Sequence, residues 1–373
     1  MSTAGALPPE GERSIEILVV DDSAVVRQKL KSIIESDPRF RVTVAADPYE
    51  AVAMLRKSVP GAIVLDVEMP RMDGLTFLRR LMSQHPLPVV LCTSVADRAL
   101  SALEMGALEV IPKPDWRDPA KMAAWSGDFL ESVRNAVGAG CAAPVLPASV
   151  AGREEKRSAA DEVLPRRPYT PREGPSEPII ATGVSTGGVQ TMPTLLRGFP
   201  KSAPGMVIVQ HMPAEFIETY AARLSNDPAI LVEVAVARHQ EPIVPGRVLV
   251  IPGEVHGLIR RTGVGYRVEL VEGPKINRFR PSVDILFRSA AQAAGPHAAG
   301  VILTGMLDDG ARGLLEMREA GAMTVAQDEA TCIVFGMPKE AIRRGAARFV
   351  HPLDRIAPAV MAWAAGAESG SRQ

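Results

Sequence analysis

Cysteine is scarce in this chain, and the three present, Cys92, Cys141 and Cys332, lie far apart with no CxxC pair among them. An odd number at such spacing argues against structural zinc and fits a reducing cytoplasm. A surplus of either charge is also lacking: 42 Lys and Arg stand against 43 Asp and Glu, for a formal net charge of −1. A nucleic-acid partner requires a basic face, so none is expected. The long uncharged run from Asn135 to Gly152 is broken by proline, glycine and serine, which reads as linker and not as a membrane span. The opening residues, MSTAGALPPEGERSIE, lack a basic region followed by an apolar stretch, so neither a signal peptide nor direct membrane insertion is expected. No short repeat period is present.

What is present is α/β patterning. The chain has 373 residues, and at about 150 residues per domain that predicts two or three domains. Between residues 14 and 137 the runs IEILVV, VTVAA, AIVLD, PVVLC and EVIP read as five buried strands, followed by helical spacing as in Val25–Ser36 and Gly74–Gln84. Such alternation predicts a doubly wound, flavodoxin-like parallel sheet. Residues 138–177 change texture. Seven of the 32 prolines fall between Cys141 and Pro178, among mixed charges such as REEKR, which predicts a semi-extended, solvated linker. Over 178–366 the alternation resumes with IIATG, MVIVQ, LVEVAV, RVLVIP, YRVELV, AGVILTG, MTVAQ and ARFV, predicting a second, Rossmann-like parallel sheet.

Ligands of open parallel sheets gather beyond the carboxyl ends of the strands. In the first domain those ends carry Asp21 and Asp22 (VVDDS), Asp66 (VLDVEMP), Thr93 (CTS) and Lys113 (IPKP). Converging carboxylates repel unless something offsets their charge. A hard cation such as Mg²⁺, with its preference for oxygen ligands, resolves that conflict on Asp21, Asp22 and Asp66. Asp66 is then placed to attack a phosphoryl donor, with Thr93 and Lys113 holding the transferred oxygens. These motifs, in this order, resemble the response-regulator receiver domain over about Ile15 to Val137. The resemblance implies phosphorylation of Asp66 by a histidine kinase, dependence on Mg²⁺, and the trans-to-cis peculiarity often seen at the Lys113–Pro114 bond.

The second domain opens with GVSTGG, residues 183–188. A phosphate loop needs a lysine after its glycines and a dinucleotide turn needs G-x-G-x-x-G, and this segment has neither. It does fit G-x-S-x-G, a sharp strand-to-helix turn that exposes a serine hydroxyl, here that of Ser185. By itself such a turn is equally well only a turn. His211 follows MVIVQ, and Asp308 and Asp309 follow GVILTG, so a hydroxyl, an imidazole and carboxylates all stand at strand ends of one inferred sheet. Their order is Ser, His, Asp, unlike that of α/β-hydrolases. His256 remains a candidate lining residue, while His85, His239, His297 and His351 read as structural.

VSTGG, VQHMP, RPSVDILF, LTGMLDDGA and AQDEATCIVFGMPKEA resemble the chemotaxis protein-glutamate methylesterase family (CheB) over nearly all of Glu177 to Ala365. The resemblance implies Ser185 as nucleophile, His211 as general base, Asp309 as third member, and an oxyanion region near Thr186 and Met306. It also implies a cytoplasmic enzyme without a cofactor in the esterase domain. Its substrates would be methylated chemoreceptors, whose glutamate γ-methyl esters it hydrolyses and whose glutamines it deamidates. Phosphorylation at Asp66 would regulate that activity, and a fragment starting near Glu177 would be more active than the unphosphorylated full chain. Leu307 departs from the family pattern, which has glycine there. The competing reading from the residues alone is a receiver whose second half only docks partners.

Overall fold

The computed structural model describes residues 14–140, 159–171, 177–263 and 265–366. The chain divides into two compact units, with the division at residues 146 and 147.

The first unit alternates β1 (Ile15–Val20), α1 (Ala24–Ile34), β2 (Phe40–Ala45), α2 (Pro48–Leu55), β3 (Ala62–Leu65), α3 (Gly74–Gln84), β4 (Val89–Cys92), α4 (Ala96–Glu104), β5 (Glu109–Ile111) and α5 (Pro119–Gly140). All strands pair in parallel in the order β2-β1-β3-β4-β5. Strands covered by helices on both faces need continuous apolar runs, and β3 and β4 are buried at every position. The helices start where a side chain can cap them. Asp47 accepts from the amides of Tyr49 and Glu50, with Pro48 in the first turn of α2, and Asp73 accepts from Leu75 N. Phe129, Val133, Ala136 and Val137, spaced as one helical face of α5, close the core over Ile17, Val19 and Val64.

The second unit comprises α6 (Ala159–Val163), β6 (Ile179–Val184), α7 (Gly188–Arg197), β7 (Gly205–Gln210), α8 (Ala214–Ser225), β8 (Glu233–Val236), β9 (Pro242–Ile243), β10 (Arg247–Val250), β11 (His256–Arg261) and β12 (Tyr266–Val271). It continues with α9 (Val283–Ala294), β13 (Ala298–Ile302), α10 (Ala311–Glu319), β14 (Met323–Gln327), α11 (Met337–Arg343), β15 (Phe349–His351) and α12 (Leu353–Ala364). Seven strands form a parallel sheet in the order β15-β14-β13-β6-β7-β10-β8, and β11-β12-β9 form a separate antiparallel sheet. The chain enters mid-sheet at β6, winds outward through β7, then returns to β13 and winds the other way. The strand order therefore reverses between β6 and β13, the kind of switch point at which open α/β sheets bind ligands.

Two expectations are corrected. YRVELV is β12 of the antiparallel sheet and does not belong to the parallel one, and its partner β11, HGLIRR, lacks the continuous apolar run that announces a buried strand. Part of the stretch read as solvated linker is folded. Ala160 and Leu164, four residues apart on one face of α6 and its end, are buried against Leu258, Ile276 and Ile285, and Arg288 Nη1 donates to Asp161 Oδ1 (2.7 Å) and Leu164 O (3.0 Å). Cys141 lies outside the described residues.

Candidate functional site

At the carboxyl edge of the first sheet, Asp21 follows β1 and Asp66 follows β3, on the two strands flanking its reversal of order. Oxygens of Asp21, Asp22 and Asp66 all lie within 4.8 Å of one another. Lys113 Nζ reaches Asp66 Oδ2 at 2.8 Å and Asp21 Oδ2 at 3.0 Å. Thr93 is fully buried, and its Oγ1 accepts from Val95 N. Burial pushes the Asp66 carboxyl up, against the pull of Lys113, and the charge of Asp21 pushes the same way. Burial works against the Lys113 ammonium, yet its two carboxylate neighbours hold it above its usual range. One lysine therefore does not neutralise the carboxylates it faces, and a hard divalent cation fits this oxygen-only set. The cis peptide among the described residues is Arg280–Pro281; Lys113–Pro114 is trans.

In the second sheet, Ser185 follows β6, His211 follows β7 and the segment Thr304–Asp309 follows β13. Val184 pairs in register with Gln210, which puts Ser185 beside His211, and His211 N donates to Val184 O at 3.0 Å. On the other side Ser185 N donates to Thr304 O at 3.0 Å. Gly187 turns the chain into α7 with φ of 85°, in the left-handed region where glycine carries no steric cost. Gly183 serves a different need, since a Cβ there would collide with the side chain of Val283 and push α9 off the sheet.

His211 Nε2 lies 2.9 Å from Asp309 Oδ2, and Nδ1 is buried with no hydrogen-bond partner among the described residues. The imidazole stacks flat on Phe279, with ring centroids 3.7 Å apart and planes 4° apart. Asp309 is fully buried. Its Oδ1 accepts from Ser282 Oγ (2.8 Å) and Asn277 Nδ2 (3.2 Å), and its Oδ2 accepts from Val283 N (2.7 Å) as well as His211. It thus caps the N-terminus of α9, where backbone amides favour negative charge. Burial alone would raise the Asp309 carboxyl; its hydrogen bonds with His211, Val283 and Ser282 outweigh that and hold it below the usual range.

The amides of Thr186 and Met306 donate to no protein acceptor among the described residues, and Thr304 Oγ1 donates to Thr186 O at 3.0 Å. Asp308 turns away from the imidazole, with Oδ2 accepting from Arg344 Nη2 at 2.8 Å. Leu307, where glycine was expected, adopts φ of 64°. A side chain in that region costs about 1–2 kcal/mol.

Of two supporting residues, Gln210 carried no sequence signal of its own and His256 was expected to line the site. Gln210 Nε2 donates to the carbonyls of Ser185 and His211, each at 3.1 Å, tying the two strand ends together. His256 is buried in β11, donates from Nε2 to Pro274 O (2.9 Å) and accepts Ser282 N at Nδ1 (3.2 Å), so it braces the start of α9 and does not line the cleft. Burial holds its ring below the usual imidazole range.

A parallel sheet with an acidic, lysine-gated edge and a second sheet with Ser185, His211 and Asp309 at its switch point define a receiver domain joined to a hydrolase domain. Residues 17–123 match the response regulator receiver domain, and residues 180–360 match the CheB methylesterase family. The chain is 48% identical over 359 residues to protein-glutamate methylesterase/protein-glutamine glutaminase 5 of Anaeromyxobacter dehalogenans, covering 95% of this chain and 98% of that one. It is 45% identical to the corresponding protein of the group 3 operon of Rhodopseudomonas palustris (94% and 97% covered) and 46% identical to enzyme 1 of that name in Pseudomonas savastanoi pv. phaseolicola (94% and 99%). The chain belongs to the protein-glutamate methylesterase/protein-glutamine glutaminase family. No helix among the described residues is long and apolar enough to cross a membrane.

Proposed function

We propose that Ser185, His211 and Asp309 are the nucleophile, general base and orienting carboxylate of a methylesterase acting on chemoreceptors. The observation that carries the reading is the bond from His211 Nε2 to Asp309 Oδ2, made one strand away from Ser185. With its proton held on Nε2 by the carboxylate, the ring keeps the Nδ1 lone pair free to take the hydroxyl proton. Ser185 Oγ attacks the carbonyl carbon of a glutamate γ-methyl ester. The oxyanion that forms is met by the amides of Thr186 and Met306. His211 returns the proton to the departing methoxide, methanol leaves, and water activated by the same nitrogen cleaves the acyl-enzyme to free Ser185 and a glutamate carboxylate. A receptor glutamine passes through the same oxyanion and releases ammonia, which makes the enzyme a deamidase as well.

The receiver over 14–137 takes a phosphoryl group on Asp66 from a histidine kinase of a chemosensory system, and 138–177 joins it to the catalytic domain over 178–366. Asp21, Asp22 and Asp66 would hold Mg²⁺, which supplies charge neutralisation for the phosphoryl oxygens. Lys113 and Thr93 contact those oxygens directly. The reading places the enzyme in the cytoplasm, where kinase and receptor tails meet.

A fluorophosphonate probe tests the triad without a receptor. Wild-type protein is expected to be labelled at Ser185, Ser185→Ala not at all, and His211→Ala at least about a hundredfold more slowly. Undiminished labelling of the alanine variant at 185 contradicts the assignment.

A further inference from the structure

Two carboxylates, not one, sit at the meeting of α9 and α10. Asp309 caps α9, and Asp284, in the first turn of α9, accepts from Gly313 N of α10 with its Oδ1 at 2.7 Å. Each carboxylate thus caps the other's helix. Asp284 N also donates to Asp309 Oδ1, at 3.3 Å. Both side chains are buried, and buried like charges at such range repel strongly.

Asn277 stands between them. Its Nδ2 donates to Asp284 Oδ2 at 2.6 Å and to Asp309 Oδ1 at 3.2 Å, which uses both protons of the amide. The reversed amide would set its oxygen against two carboxylates, so the network itself fixes the orientation. The backbone that delivers it is a tight turn. Ile276 and Phe279 exchange backbone hydrogen bonds of 3.0 and 2.8 Å, and Asn277 and Arg278 both have positive φ, 48° and 77°. Asparagine tolerates that region better than most residues. The same turn ends in Phe279, whose ring lies on His211. One short segment therefore holds both the imidazole and the carboxylate that orients it.

We infer that Asn277 is a positioning residue of the triad: its amide bridges Asp284 and Asp309, offsets their repulsion, and keeps Asp309 Oδ2 on His211. The inference rests on the triad reading above. The titratable groups around the pair are His211 at the end of β7, His256 in β11, and Asp308, which is paired with Arg344 beyond α11. One turn further along α9 and α10 lies the Arg288–Glu316 pair. Burial, then the charge of Asp309, pushes Asp284 up to about 7, as expected where two acids compete for one site.

The test uses the full chain and the rate of fluorophosphonate reaction at Ser185 across the pH range, which reports the triad directly. Asn277→Gly keeps the left-handed turn and removes only the amide. Loss of the shared donor raises the pKa of both carboxylates, so the proton that Asp284 holds near neutral pH is shared with Asp309, and a protonated Asp309 releases His211. The expected result is a reaction about tenfold slower near pH 6.5 and an acid limb moved up by about one pH unit. Adding Asp284→Asn removes the like charge, and the limb is expected to return toward wild type. Asp284→Asn alone, a second route should the glycine variant fold poorly, is expected to move the limb below wild type. The inference is overturned if Asn277→Gly tracks wild type at every pH, if its loss is independent of pH and undiminished in the double variant, or if Asp284→Asn leaves the limb in place. A wild-type protein that does not react at Ser185 removes the triad reading itself, which none of the variant comparisons does.

Discussion

His211 gives Nε2 to Asp309 Oδ2 at 2.9 Å and keeps Nδ1 as its unpartnered nitrogen. Because the carboxylate selects the tautomer, its loss leaves a ring whose lone pair points the wrong way. Asp309→Asn is expected to lower turnover by about 10³–10⁴-fold and, by setting an amide donor against the donors of the α9 cap, to cost about 1–3 kcal/mol of stability. Asp308→Asn, which alters only a half-exposed ion pair with Arg344, is expected to stay within about twofold of wild type. Steady-state methanol release from the two variants checks both.

Leu307 carries its positive φ within the segment that links the oxyanion region to Asp309. Leu307→Gly removes the steric cost of that conformation, less the chain entropy that glycine adds to the unfolded state. A gain of about 1 kcal/mol in a urea titration is expected. A loss of stability would mean that the leucine side chain contributes more than its backbone costs.

A catalytic fragment cut at Glu177 omits α6. It leaves Arg288, which is 4% exposed, without Asp161 and Leu164 O, and uncovers Leu258 and Ile285. A fragment starting at Ala159 is therefore expected to be more stable by about 2–4 kcal/mol than one starting at Glu177, measured by denaturant midpoint. Any comparison of fragment activity with the full chain has to retain this strap, or the loss of brace will be mistaken for loss of regulation.

Asp284 makes stability depend on pH in a direction opposite to most carboxylates. Its folded-state pKa is pushed from 3.8 to about 7, so between those values the native state binds more protons than the unfolded one. Its contribution to stability then falls as pH rises through that window. Asparagine carries no such linkage. The melting temperature of Asp284→Asn is expected to improve relative to wild type as pH is raised from 5 to 8, and a constant difference would show that Asp284 is ionised throughout. Asp309, held below its usual range, acts with the opposite sign and only in more acidic solution.

The parts of the site legible in the sequence are those that strand ends announce. Asp21, Asp66, Ser185 and His211 each follow directly on a strand, Asp309 comes seven residues after β13, and in each parallel sheet the strand-end position brings such residues to its carboxyl edge. The residues that steady them come from elements with weaker marks. Asn277 belongs to a turn without glycine, whose positive φ values no local pattern required. The strand β11 is hidden by a glycine and two arginines, so its His256 reads as a lining residue and not as the buried brace it is, and the buried face of α6 consists of two apolar residues in a stretch dominated by charge and proline. Arg288 reads as a surface residue until Asp161 and Glu316 are seen to close around it.

The most direct measurement is methanol released from carboxyl-methylated chemoreceptor by the purified full chain, wild type against Ser185→Ala, with phosphodonor present. Release by wild type, and none above background from the variant, is the result expected if Ser185 Oγ is the nucleophile. Release from the alanine variant at a comparable rate would contradict it.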